Sequence, residues 1–303
     1  VEANWSLARK RQALIERARI VQTIRAFFID RDFLEVETPQ RLPANAPEPH
    51  IDAVASGDWF LQTSPELCMK RLLAAGYPRL FQLGKVWRAG ERGGRHLPEF
   101  TLLEWYRRDT DYHALMDDCE GLLRALVPGG SLTVAGRGIN LAPQWERLTV
   151  VKAFTRHASV PLAAALASGR FEEILTSEVE PHLGSNAPIF LTEYPVELAA
   201  LARPKPGDVS VAERFELYLG GIEVANAFSE LTDPIEQRRR FLHDEAARRA
   251  SGKVPAPLPE AFLRDLAALP AAAGIALGVD RLVMLLTGAE RIDDVVAFTP
   301  DDL

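Results

Sequence analysis

The chain has 303 residues, 47% hydrophobic and 25% charged, a composition suited to a globular protein with a sizeable core. Its net charge of −7 argues against a general nucleic-acid binder, which would carry a basic footprint. No apolar run is long enough to span a membrane, no signal-peptide pattern is present, and Cys68 and Cys119 lack metal-ligand spacing; a cytoplasmic protein with buried free thiols is expected.

Apolar residues at helical spacing predict a helix over Ala13–Arg31, followed by a strand over Phe33–Thr38 and a proline-rich loop over Pro43–Pro49. Trp59–Thr63 reads as a short strand. Ser64, Pro65 and Glu66 then open a helix to Ala75, with Ser64 as cap and Glu66 suited to the helix dipole. Arg79–Arg88 and Phe100–Arg107 read as strands of an antiparallel hairpin with a charged, glycine-rich tip. Tyr112–Val127 is predicted helical, Pro128–Gly138 holds turn signals, and Leu148–Ala158 is a further helix. Leu162–Asp208 gives little beyond a strand at Pro188–Thr192. A strand pair through Val211–Glu216 and Gly221–Leu231 follows, then a polar helix over Asp233–Ser251 whose arginines read as a solvated face. The pattern ends with a core helix at Val279–Leu286 and a strand at Val295–Phe298. One α+β domain over residues 1–303, built on a largely antiparallel sheet, is expected.

Two segments carry the chemistry. GIEVANAFSEL (Gly221–Leu231) places Glu223, Asn226 and Glu230 along a strand, where such residues are disfavoured. Acids there suit a cation, a metal or a substrate amine. GIALGVDR (Gly274–Arg281) is a glycine-rich turn that lets backbone approach a planar ligand, followed by an arginine whose fork fits phosphate. Together they suggest a site for a nucleotide and an amine-bearing molecule.

Four pieces in order complete the pattern: a long helix and strand ending at Pro39, a strand ending at Arg88 with Glu91, His96, Glu99 and Phe100 beyond it, Glu216 with the acidic strand, and the turn before Arg281. In this order they resemble the signature motifs of class II aminoacyl-tRNA synthetases. TSPELCMKRLL (Thr63–Leu73), HLPEFTLLEWY (His96–Tyr106) and GIEVANAFSEL look like the lysine branch. The first-motif helix lies close to the start of the sequence, leaving no room for an anticodon-binding barrel. The chain therefore resembles the stand-alone elongation factor P lysine ligases (the GenX/PoxA family).

The resemblance implies ATP and Mg²⁺ as cofactors and AMP-forming transfer of (R)-β-lysine, or lysine, to a lysine side chain of elongation factor P. It implies that Arg88 grips the α-phosphate and substrate carboxylate and that Arg281 lies on one face of adenine, with Phe100 on the other. Glu91, His96 and Gly278 complete the nucleotide site, and Glu216 and Glu223 hold Mg²⁺. Glu66 would read the backbone-type ammonium, Glu104 and Glu230 the terminal one, with Tyr106 and Ser64 beside them and Asn226 on the carboxylate. A homodimer is implied, with no stable tRNA binding.

Three departures from the family pattern stand out. Glu91 is displaced by one residue from the usual second-motif position, Leu97 replaces an asparagine, and Ala276 replaces a glycine of the third motif. Ala276 is expected to favour a β-amino acid. Rival readings are a truncated lysyl-tRNA synthetase, a non-catalytic synthetase-like regulator, and an asparagine-forming paralogue. The acid pair Glu104 and Glu230 speaks against the last, since it would repel aspartate.

Overall fold

The computed structural model describes residues 5–199 and 201–303; the first four residues of the expected 1–303 domain and Ala200 lie outside it. Helices α1 (Trp5–Arg9) and α2 (Arg11–Ile29) lead into the short strand β1 (Leu34–Glu35). The expected strand over Phe33–Thr38 shrinks to these two residues. The Thr38 N–H leaves the ladder and donates to Gln82 Oε1 instead (2.8 Å). Strands β2 (Arg41–Leu42), β3 (Ala55–Ser56) and β4 (Trp59–Leu61) form a small separate sheet.

Helix α3 (Glu66–Ala74) comes next, then the long hairpin β5 (Arg79–Trp87) and β6 (Glu99–Arg108). The start of α3 differs slightly from the expected cap: Pro65 takes the cap position, and Ser64 Oγ accepts from the Glu66 N–H at 3.0 Å. Helix α4 (Tyr112–Leu126) is capped by Asp111. The turn-rich stretch after it holds an unexpected hairpin, β7 (Ser131–Val134) and β8 (Arg137–Asn140). A strand, β9 (Glu146–Thr149), takes the first residues of the helix expected at Leu148 and shortens it to α5 (Val150–His157).

The poorly legible region contains α6 (Leu162–Ala167), α7 (Phe171–Ile174), a π-helical turn and strand β10 (Ile189–Pro195). Strands β11 (Pro204–Lys205), β12 (Asp208–Leu219) and β13 (Ile222–Ser229) precede α8 (Pro234–Ala250), which is capped by Asp233 as expected. Its arginines are ion-paired, and Arg248 is not solvated: it is buried against Asp52 and the carbonyls of Glu48 and Ile51. Helix α9 (Glu260–Asp265), strand β14 (Ala272–Gly278) and helix α10 (Val279–Thr287) complete the order. The expected glycine-rich turn before Arg281 is thus a strand. The strand expected at Val295–Phe298 does not form; its residues enter through a 3₁₀ turn, and the Val295 carbonyl accepts from Arg17. Val295 and Val296 owe their β-branched pattern to core burial, not to a ladder.

The main sheet runs β1-β5-β6-β14-β13-β12-β10-β9, with β11 beside β12. Only its ends are parallel, at β1–β5 and β10–β9. The fold is α+β. Alternate residues of the central strands divide between two faces. One face gives Leu103, Trp105, Phe215, Leu217, Ala225, Ala227, Ile275 and Leu277 to a core shared with α2, α4 and α10. Phe28 of α2 packs on Phe81 and Trp105 with ring centroids 5.1 and 5.0 Å apart. Burial of each such ring contributes about 1.5–3 kcal/mol. The opposite face is lined by different chemistry.

Candidate active site

Residues directly opposite each other in an antiparallel ladder point to the same side. The register therefore builds two rows across four strands. Glu104, Ala276, Asn226 and Glu216 form one, and Tyr106, Gly274, Phe228 and Arg214 form the other. Leu102 and Gly278 continue the face towards the hairpin tip. These rows, Glu216 excepted, are the floor of a cleft walled by the start of α3, the hairpin tip and the start of α10.

At one end the cleft is acidic and dry. Glu104 is 1% exposed; Ser64 Oγ and the Tyr106 hydroxyl donate to its two oxygens, each at 2.6 Å. Burial, and then the neighbouring Glu66, push its carboxyl up to about 7 against the pull of those donors. Glu230 lies behind, fully buried, and burial pushes it up to about 8 although Lys70 pulls it down. Glu66 lines the cleft and accepts from Lys70 Nζ at 2.6 Å. Gly274 is required here. A Cβ at that position would lie 2.1 Å from Tyr106 Cε1 and 2.5 Å from Glu230 Oε1.

The other end is cationic. The Arg88 guanidinium lies 5.1 Å over the ring of Phe100 and 3.7 Å from Glu91. Arg281 donates to the carbonyl and Oε2 of Glu223, at 3.0 and 3.1 Å, and contacts His96 Nε2. Burial, and then the Arg281 charge, hold His96 below its ordinary value, so the neutral ring accepts from the guanidinium. The residue before Arg281 fixes its position. Asp280 is buried, pairs with Arg17 at 2.5 Å and accepts from the Thr101 N–H at 2.7 Å, which ties α10 to α2 and β6.

The family profile described as "tRNA synthetases class II (D, K and N)" matches residues 4–302. This chain belongs to the class II tRNA synthetases of that group. It is 40% identical to a protein of Erwinia tasmaniensis named "Elongation factor P--(R)-beta-lysine ligase", over 99% of this chain and 98% of that one. Proteins of the same name from Salmonella paratyphi B and Salmonella heidelberg are each 41% identical over the same shares.

In this class II synthetase, thirteen of the residues picked from sequence line one cleft: Ser64, Glu66, Arg88, Glu91, His96, Phe100, Glu104, Tyr106, Glu223, Asn226, Ala276, Gly278 and Arg281. Glu216 and Glu230 do not line it. Glu216 ends the first row beyond the cleft lining and is buried there, where Tyr194 and Tyr218 donate to one oxygen (2.6 and 2.7 Å) and Arg214 to the other (2.7 Å). Among the described residues no group of three His, Cys, Asp or Glu side chains converges as a ready metal centre. Both departures in the hairpin reach the cleft, Glu91 as a partner of Arg88 and Leu97 as a buried apolar wall.

Sequence reasoning missed Glu48, Arg214, Phe228 and Lys70. Arg214 and Phe228 share the period-two face of residues already chosen, and Lys70 is one helical turn from Glu66, so spacing could have found all three. Glu48 comes from the proline-rich loop, which has no periodicity to read. It lines the cleft, and burial pushes its carboxyl up to about 7 against the pull of Arg88.

Proposed function

We propose that this class II synthetase is an ATP-dependent, AMP-forming ligase that activates a lysine-type amino acid, (R)-β-lysine in particular, and transfers it to a lysine side chain of elongation factor P. One observation carries the reading. A single cleft joins a buried acidic end (Glu66, Glu104 and, behind them, Glu230) to an end with Arg88 and Arg281. Buried carboxylates demand a cationic ligand. Paired arginines suit phosphate. A diamino acid and a nucleotide satisfy both ends, and the names of relatives matched over their whole length agree.

In this reading the substrate carboxylate attacks the α-phosphorus of ATP and pyrophosphate leaves. The chain contributes position and countercharge, with no covalent step. Arg88, at the cationic end, orients carboxylate and α-phosphate. Arg281 and Phe100 sandwich the adenine, and neutral His96 and Glu91 border the phosphates and base. Glu66 takes the ammonium nearest the carboxylate, Glu104 with Tyr106 and Glu230 the distal one, and Asn226 the carboxylate.

Glu223 is the carboxylate that fits Mg²⁺: it lines the cleft, and a phosphate-bound Mg²⁺ needs only one or two protein carboxylates. Glu216, close enough for Glu223 to add to burial in raising it, has both oxygens taken by Tyr194, Tyr218 and Arg214. When bound, the ion offsets phosphate charge. In the second step the neutral amine of the acceptor lysine attacks the acyl carbon, the acyl–phosphate bond breaks and AMP departs. A cytoplasmic homodimer belongs to the same reading.

The test is an acyl-transfer assay with ATP, Mg²⁺ and either lysine or (R)-β-lysine. Elongation factor P and bulk tRNA are offered together, and products are read by intact mass. A mass gain on the protein, larger with β-lysine, is expected. Labelled tRNA beside unmodified protein would instead make the chain a tRNA-charging enzyme.

A further inference from the structure

Lys70 takes no part in the roles just described, yet its ammonium stands at the acidic end of the cleft. It lies one helical turn beyond Glu66 on α3 and is 1% exposed. Its Nζ donates to Glu66 Oε1 at 2.6 Å, pairs with Glu230 Oε2, and stands 5.0 Å from the Phe228 ring centroid. A lysine that only braced the fold would need one carboxylate. Here it meets two, with a third, Glu104, held nearby by Ser64 and Tyr106. Glu230 Oε1 is buried and has no hydrogen-bond partner among the described residues. With all these groups ionised, three carboxylates face one ammonium, and two negative charges remain for a ligand to balance.

We propose that Lys70 is a built-in counterion that sets the charge of the amino-acid pocket: it holds Glu66 and Glu230 in place and eases their ionisation, matching the pocket to a substrate with two ammonium groups. The inference rests on the amino-acid-activating reading above. Lys70 acts through its two partners and is a positioning residue.

The balance of charges supports this. Burial alone would lower the Lys70 ammonium, but Glu230 and Glu66 outweigh it and raise it, so Lys70 stays charged. Glu230 already sits at about 8 with Lys70 beside it. The other charged or titratable groups facing this cluster are Glu104, Tyr106, Glu48 beside Glu66 and, through Glu104 and Glu48, Arg88. None supplies a second cation next to Glu230, so without Lys70 the cluster holds an additional proton near neutral pH. That proton then has to leave before the substrate ammonium can pair.

The experiment compares wild type with Lys70→Met in lysine-dependent pyrophosphate exchange from pH 6.5 to 9.5. The variant is expected to raise the amino-acid KM about tenfold near pH 7.5, with the ATP KM unchanged and the deficit fading towards pH 9.5. Calorimetric binding of 1,5-diaminopentane, run in buffers of different ionisation enthalpy, reads the same balance without adenylate chemistry. Lys70→Met should release about one more proton per diamine bound than wild type. An unchanged pH profile, or equal proton release, overturns the proposal. If Lys70→Met does not fold, Lys70→Met/Glu230→Gln removes both charges. The proposal expects the pair to fold, and failure of that variant too makes Lys70 a structural spacer and overturns it. Wild type that binds diamine but activates no diamino acid counts against the functional reading, and leaves the calorimetric comparison to decide on Lys70.

Discussion

Tyr106 and Gly274 stand opposite each other on β6 and β14, and the tyrosine ring fills the space that a side chain at 274 would need. The missing Cβ lets the Tyr106 ring pack against Gly274 with its hydroxyl donating to Glu104. Gly274→Ala should displace the ring and disturb Glu230. The amino-acid KM is expected to rise about tenfold to a hundredfold, from an overpacking cost of about 1–3 kcal/mol. Pyrophosphate exchange with separate titration of ATP and amino acid checks this; an unchanged amino-acid KM would refute it.

The raised carboxyls fix a pH dependence. Glu104 and Glu230 become charged only as pH rises through about 7 and 8. The kcat/KM for the amino acid should therefore climb from pH 6.5 to about 8.5, and Glu104→Gln should remove the lower step. The folded, ligand-free protein also binds protons that the unfolded chain, with carboxyls near 4.5, has lost. Stability should thus fall as pH rises from about 5 to 8. Glu236, held near 2 mainly by its hydrogen bond from Arg239, titrates outside that window. Thermal melts across pH with and without lysine check the sign: a diammonium ligand should flatten the slope.

Glu223 is the carboxylate presented to the cleft, paired with Arg281. Glu223→Gln should cut the exchange rate about 10²- to 10³-fold and raise the Mg²⁺ concentration needed for half-maximal rate. Excess chelator should abolish exchange in wild type. A variant with wild-type Mg²⁺ dependence would remove Glu223 from the metal assignment.

Ala276 lies in one cross-strand row with Glu104 and Asn226, between the ammonium and carboxylate ends of the amino acid in the proposed pose. Its methyl group shortens the floor at that point. Ala276→Gly should shift activation from β-lysine towards α-lysine. An unchanged β/α preference would dismiss the role.

Asp280 is buried and answers to Arg17 and the Thr101 N–H. Asp280→Asn leaves the guanidinium without its charge partner. A loss of about 3–5 kcal/mol is expected in denaturant unfolding. The ATP KM should rise as well, because the adjacent Arg281 loses its anchor.

The helices α2, α4, α8 and α10, the hairpin β5–β6 and the pair β12–β13 were legible because long periodic runs and side-chain caps announce them. The rest failed for identifiable reasons. Val295 and Val296 mimic a strand because the core selects the same β-branched residues as a ladder does. Ala272–Gly278 reads as a turn by its glycines, although Gly274 is there to admit a ring. Motif order brought the cleft residues together, yet spacing alone could not tell that Glu216 and Glu230 stay outside the cleft lining. That depends on which neighbours claim their oxygens, Tyr194, Tyr218 and Arg214 for one and Lys70 for the other.

The two-sided ladder separates two jobs that proteins usually entangle. Positions 103, 105, 225, 227 and 275 belong to the core that holds the molecule together, while their neighbours 104, 226, 274 and 276 line the cleft. A lineage can re-letter the second set and trade one substrate for another while the apolar core on the other face stays as it is. The backbone works as a fixed typeface tray, and selectivity is the line of type set in it.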